Sequence, residues 1–218
     1  MTTTTTAPPA SMADRAYHVL RDRLVLLDIP PGAPIQEGRL SAELGMGRTP
    51  IRESLKKLEL DHLVVTYPRR GTFATQVDIT DLADISEMRA ALEPIAARRA
   101  ARLAGPEIRA ELAAKAREIA ATREEPEDRR GLMAYDLSVH RLIYQAAGSA
   151  HMEDTLVRLD NLVTRIWCLV LDRLPLVGDH IREHVGLLEA IVERDADRAA
   201  ELAAEHVAHF ERSVRSVL

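Results

Sequence analysis

Four residues with metal-binding side chains stand where helical patterning calls for apolar ones. Asp136 and His140 are four apart, among Met133, Leu137, Ile143 and Ala147. His184 shares a stripe with Ile181, Leu188 and Ile191, and His206 shares one with Ala199, Leu202 and Phe210. A carboxylate facing a core is costly unless it is paired or coordinated. One carboxylate and three imidazoles from three helices suit a divalent ion, with Zn, Ni, Mn and Fe all compatible with that donor set. Taken singly, a histidine on an apolar stripe is usually a hydrogen-bonded core residue. Rival pairs also exist, His180 with His184 and His206 with His209, although His180 and His209 fall at stripe edges. Arg89, beside Ile85, Leu92 and Glu93, has two readings. It pairs with Glu93 one turn on, or it clamps the carboxylate of a bound effector.

A second chemistry lies in Gly45 to Gly71, GMGRTPIRESLKKLELDHLVVTYPRRG. Ile51, Leu55 and Leu58 recur at i, i+4, i+7, an inward stripe. Arg48, Arg52 and Lys56 recur at i, i+4, i+8 on another face. The pattern then turns to β, with a tip at Pro68, Arg69, Arg70 and Gly71. A cationic helix beside a hairpin with an arginine tip suits double-stranded DNA, the helix in the major groove and the tip on the backbone or minor groove. The helix start has two solutions. Thr49 caps it with Pro50 at the first position, or Gly47 caps it with Pro50 inside the first turn. Lys57 reads as structural, paired with Glu53.

These residues need elements to position them. Ser11 to Asp28 reads as a first helix, stopped by IPPGAP at residues 29–34, with a short strand at Ile35 and Gln36. Glu37 to Leu44 is a second helix, and the Gly45 to Gly47 turn leads to the third. Helix, helix, turn, helix, hairpin is the order of a winged helix-turn-helix. Thr80 is expected to cap a long helix to about Ala104, with Leu82, Ile85, Met88, Leu92 and Ile95 inward and Pro94 kinking it. Further helices are expected at about 107–123, 130–147, 151–174, 179–194 and 196–217, with a loop at 124–130 and a break at Pro175 to Gly178. The fold class is therefore mostly α: residues 1–10 a disordered tail, 11–77 a winged helix-turn-helix, and 78–218 an all-α six-helix bundle.

Composition is compatible with this reading. Net charge is −5, but residues 1–77 carry 10 Lys and Arg against 8 Asp and Glu, whereas residues 78–218 carry 19 against 26. A basic element on an acidic bulk can bind DNA locally. One cysteine, Cys168, excludes an internal disulfide and fits a reducing cytoplasm. MTTTTTAPPA has neither a basic nor an apolar signal region, and no apolar run is long enough for a membrane span.

The chain resembles the GntR superfamily of bacterial transcription regulators, in the FadR-type branch with a C-terminal helical FCD domain. The resemblance covers residues 11–218. It is carried by PPGAPIQEGRLSAELGMGRTPIRESLKKLELDHLVVTYPRRGTF in the first part. In the second it is carried by EMRAALEPIAARRAA, DLSVHRLIYQAAG and EHVGLLEAIVERDADRAAELAAEHVAHF. The six-helix count is closer to the VanR-type subgroup. The resemblance puts metal ligands on Asp136, His140, His184 and His206, an effector-binding arginine on Arg89, and DNA contacts on Arg48, Thr49, Arg52 and Gly71. Lys56 and Arg70 are read as phosphate contacts. Gly47 stands where the family has Ser or Thr, Gly38 and Arg39 depart from its second-helix DNA contact, and Ser149 replaces a frequent Asn.

The implied function is a metabolite-responsive regulator. It would be a homodimer on a pseudo-palindromic operator, controlled by a small organic acid effector at the metal. The alternatives are a metal-dependent hydrolase or lyase with a DNA-binding appendage, and a sensor of the metal itself. No nucleophile motif and no Gly-rich phosphate loop favours an enzyme. Turnover separates the first alternative, since an enzyme consumes its ligand. A slowly exchanging, co-purifying metal counts against the second.

Overall fold

A computed structural model of the chain describes residues 11–121, 128–174 and 177–218. The expected tail (1–10), most of the loop expected at 124–130, and residues 175–176 of the expected break lie outside them. The chain divides into two compact units, one ending at Gln76 and the other beginning at Val77.

The first unit is built on α1 (Met12–Val25), α2 (Glu37–Leu44) and α3 (Arg48–Leu60), with β1 (Pro34–Ile35), β2 (Val64–Tyr67) and β3 (Gly71–Ala74). A capping box starts α1: the Ser11 hydroxyl accepts from the Asp14 amide, and the Asp14 carboxylate accepts from the Ser11 amide. The helix ends three residues earlier than expected, because Leu27 adopts a left-handed φ of 60° before the prolines. Helices α1 and α2 both pack on α3, and Leu20, Leu24, Ile51 and Leu58 form a dry core. A fully buried leucine contributes roughly 1.5–3 kcal/mol. The strands form an antiparallel sheet in the order β1-β3-β2, with Tyr67 opposite Gly71 at the tip.

The second unit is helical: α4 (Leu82–Leu103), α5 (Pro106–Ala121), α6 (Arg129–Ala146), α7 (Ala150–Val170), α8 (Val177–Arg182), α9 (His184–Val192) and α10 (Ala196–Arg215). The six expected rods are present among the described residues, with the fifth interrupted at Glu183 into α8 and α9. Helix α4 runs unbroken through Pro94 and packs most extensively on α10. The small side chains of Ala96, Ala97, Ala100, Ala199, Ala200 and Ala203, all buried, let these two helices approach closely.

Several local expectations change. Thr80 does not cap α4. Asp78 instead accepts from the Thr80 amide at 2.9 Å and starts a 3-10 turn over Ile79–Asp81. Met88 and Ile95, expected inward, are 45% and 44% exposed, and Leu92 is half-buried. The buried face of α4 keeps the expected Leu82 and Ile85 and continues through Arg89, Glu93, Ala96 and Ala100. Beyond Ile85 the large aliphatic residues drew the sequence reading off the core stripe, because two charged residues occupy it there.

Candidate metal centre and nucleic-acid interface

The core of the second unit contains a histidine triad. Helix α6 supplies His140, α9 supplies His184 at its first residue, and α10 supplies His206, each at most 3% exposed. Nε2 of His140 lies 3.2 Å from Nε2 of His184 and 3.4 Å from Nε2 of His206. Each imidazole is held from behind. His184 Nδ1–H donates to the Ile181 carbonyl at 3.2 Å, and His206 Nδ1–H donates to the Glu183 carboxylate at 3.0 Å. His140 Nδ1 meets the Tyr144 hydroxyl at 3.2 Å, with Glu93 Oε2 at 3.8 Å. A carbonyl and a carboxylate only accept, so these two contacts put the proton on Nδ1 and leave a lone pair on Nε2. With His140 Nδ1–H on the tyrosine, all three lone pairs converge.

Convergent lone pairs repel unless a cation sits between them. Donors at about 2.1 Å from one ion lie about 3.0–3.4 Å from each other in octahedral or tetrahedral arrangement, and the Nε2 separations have that size. Burial pushes the pKa of His140 and His184 well below the ordinary value, helped by the neighbouring imidazoles, and pushes His206 down to about 3. The triad is thus held neutral, the form that ligates metal.

Asp136 stands one step further out. Its Oδ2 is 3.8 Å from His140 Nε2 and its Oδ1 is 3.7 Å from His184 Nδ1. It does not join the set whose ligand atoms all lie within 4.8 Å of one another, which is His140, His184 and His206. Its Oδ1 is buried and has no hydrogen-bond partner. Burial, with Asp160 nearby, pushes its pKa well up, the reverse of what an adjacent cation would do.

Arg89 is 2% exposed and its Nε donates to Glu93 Oε1 at 2.5 Å. Its other side faces Asp160 at 3.8 Å and the Phe210 ring at 5.3 Å. Burial disfavours its charge, but Glu93, Tyr144 and Asp160 outweigh that and hold its pKa above the usual range. Burial raises Asp160 to about 7 against the opposing pull of Arg89. The intrahelical pair of the two sequence readings is therefore formed, and a chain from Arg89 through Glu93 reaches the back of His140.

Sequence reading missed Tyr144, Asp160 and Glu183, named Glu93 only as the partner of Arg89, and ranked His180 low. His180 is 5% exposed and stacks on His206 with ring centroids 4.1 Å apart. Tyr144 was within reach of the sequence, since it falls four residues from His140. Glu183 was not, because its role depends on α10 lying across the α8–α9 junction.

In the first unit, Gly47 is the N-cap of α3, with φ −64° and ψ 164° and no side-chain capping bond. Pro50 therefore lies inside the first turn, the second of the two solutions. Arg48, Thr49, Arg52 and Lys56 are all exposed. Arg52 Nε donates to Glu37 Oε2 of α2 at 2.7 Å. Lys57 pairs with Asp14 of α1 at 2.6 Å rather than with the expected Glu53, so it ties two helices together. At the hairpin tip Arg69 and Gly71 have φ of 64° and 95°, and Arg69 and Arg70 are exposed. A Cβ on Gly71 would meet nothing within 4 Å, so its backbone conformation, not space, favours glycine there.

Comparison with known proteins matches these units to two families. Residues 12–74 match bacterial regulatory proteins of the gntR family, and residues 84–209 match the FCD domain. The HTH-type transcriptional repressor RspR of Escherichia coli K12 is 27% identical over 212 residues, covering 96% of this chain and 92% of that protein. A protein of Paenarthrobacter nicotinovorans named "probable D-xylose utilization operon transcriptional repressor" is 30% identical, covering 84% of this chain and 79% of that protein. The solved structure of E. coli McbR/YncC has the same fold, with a TM-score of 0.81, 20% identity and coverage of 95% and 99% of the two chains.

Proposed function

Since this chain belongs to the gntR family of bacterial regulatory proteins, with an FCD domain behind its winged helix-turn-helix, it is a transcription regulator, and we propose that a small carboxylate controls it through a divalent metal. The observation that carries the metal reading is the convergence of three Nε2 atoms, that of His140 lying 3.2 and 3.4 Å from the other two, with the tautomers of His184 and His206 fixed from behind. His140, His184 and His206 hold the ion, and Asp136, one step further out, closes in as the fourth ligand. When bound, the ion supplies a Lewis-acidic centre with open positions that attract a carboxylate. Glu183, Tyr144 and the Ile181 carbonyl orient the imidazoles, as outer partners of metal ligands do. Arg89 anchors Glu93, and it reaches an effector only by exchanging that carboxylate for the ligand's.

The output is DNA binding by a cytoplasmic homodimer on a pseudo-palindromic operator. Arg48 and Arg52 read base edges, Thr49 and the uncapped amides at the start of α3 take a phosphate, and Lys56, Arg70 and the Gly71 backbone follow the DNA backbone. The row of exposed Met88 and Ile95 with half-buried Leu92 between them on α4 suits a second copy of the chain. No helix among the described residues is long and apolar enough to cross a membrane. An effector shifts DNA binding only through unequal affinity for two dimer geometries, and a 100-fold ratio corresponds to about 2.7 kcal/mol.

The test is His206→Ala, at a residue that lines a surface cleft. Elemental analysis should show most bound metal lost. A thermal-shift panel of small mono- and dicarboxylates should lose the stabilisation it gives the metal-loaded parent, while operator binding without effector persists. Undiminished metal content refutes the ligand assignment.

A further inference from the structure

Beside the buried triad is a second cluster of donors, of which the regulatory reading uses only Glu183, as the partner of His206. His180 on α8, Glu183 at the α8–α9 junction and His209 on α10 offer ligand atoms that all lie within 4.8 Å of one another. His180 Nδ1 is 3.6 Å from Glu183 Oε2, and His209 Nδ1–H donates to Glu183 Oε1. We propose that these three residues form a second, shallower site for a borderline divalent cation of the zinc type.

Three observations support it. First, His180 is 5% exposed, yet its Nδ1 has no hydrogen-bond partner although it faces a carboxylate. A buried polar atom without a partner costs about 1–3 kcal/mol, and a cation at Glu183 would satisfy it. The ring is held there by Trp167, edge-on at 4.6 Å, and by the stack on His206. Secondly, the cluster opens outward. A cleft of about 470 Å³ is lined by Glu183, Leu202, Glu205, His206, His209 and Arg212, so an ion arriving from solvent meets Glu183 and His209. Of the charged groups in that cleft, Glu205 offsets Arg212. Thirdly, the donors are two imidazoles and one carboxylate, which favours Zn²⁺, Ni²⁺ or Cu²⁺ over Mg²⁺ or Ca²⁺. His180 and Glu183 are three residues apart and so lie on one helical face, and His209 closes from α10. Water completes the coordination.

The two sites share Glu183. One of its oxygens accepts from His206 Nδ1–H and the other faces His209. A cation at the outer site therefore competes for the carboxylate that orients an inner ligand.

The experiment is equilibrium dialysis of chelator-treated, full-length protein against Zn²⁺, with ions per chain counted for the parent, His209→Ala and His140→Ala. His209 is 44% exposed at its side chain, so its truncation should leave the fold intact. The expected result is two ions in the parent and one in each variant. His209→Ala should retain the tighter ion and His140→Ala the weaker. A parent with one ion that is lost in His209→Ala and kept in His140→Ala also upholds the outer site and refutes the inner one instead. One ion in the parent that survives His209→Ala, one ion lost in both variants, or two ions in His209→Ala each overturn the proposal.

Discussion

Arg52 on α3 donates its Nε to Glu37 on α2 at 2.7 Å, so the guanidinium read as a base contact is held by an acid on the neighbouring helix. The pair is exposed, with 62% and 32% of the two side chains accessible, and contributes little to stability. Its effect is geometric. It fixes the guanidinium plane and leaves its terminal amines for a bidentate partner.

Arg52→Ala should therefore cost operator affinity without unfolding the protein. The expected loss is about 1–3 kcal/mol, or roughly 5- to 150-fold in Kd, concentrated at one base pair of each half-site. Fluorescence anisotropy on operator DNA measures it. Equal binding by variant and parent refutes the docking of α3.

The exposed row on α4 gives a prediction about assembly. Ile95→Glu puts a charge on the proposed dimer face, where burial without a partner is costly. The dimer should weaken at least about 100-fold, and analytical ultracentrifugation should show monomers at micromolar concentration. An unchanged dimer places the interface elsewhere.

Arg89 predicts a large loss of stability. Arg89→Met removes the cation between Glu93 and Asp160, both buried. Leaving such charges unpaired costs about 3–5 kcal/mol, read as a lowered midpoint in urea. Asp160, already raised to about 7, should become harder still to ionise. A loss below about 1 kcal/mol would show that Arg89 is not held as a counter-ion.

Asp14 predicts the acid limb of the first unit. Its carboxyl is lowered to about 2 from 3.8, by Lys57 first and then by Ser11. The folded pKa is below the unfolded one, so the stabilisation is complete above about pH 4 and is lost as pH falls through about 2. Asp14→Asn should remove that dependence, and it should weaken the start of α1. A carbon-13 NMR titration giving Asp14 an ordinary pKa refutes the pairing.

The sequence by itself determined the element order, because apolar periodicity, prolines and glycines are local signals. It marked His140, His184 and His206, since a histidine on an apolar stripe is anomalous within its own helix. It also set out both readings of Arg89 and both starts of α3. Tertiary structure chose the start of α3, with Gly47 at the cap, and it formed the Arg89–Glu93 pair, which an effector would have to exchange. Tertiary structure alone turned α4 so that Met88 and Ile95 face outward, because the close alanine contact with α10 fixes which stripe is inside. It paired Lys57 with Asp14 across helices, where spacing had suggested Glu53. It also sorted the rival histidines into an inner triad and an outer cluster about Glu183. That sorting depends on how α6, α9 and α10 cross, and crossing geometry is a sum of many packing contacts that no single spacing in the chain records.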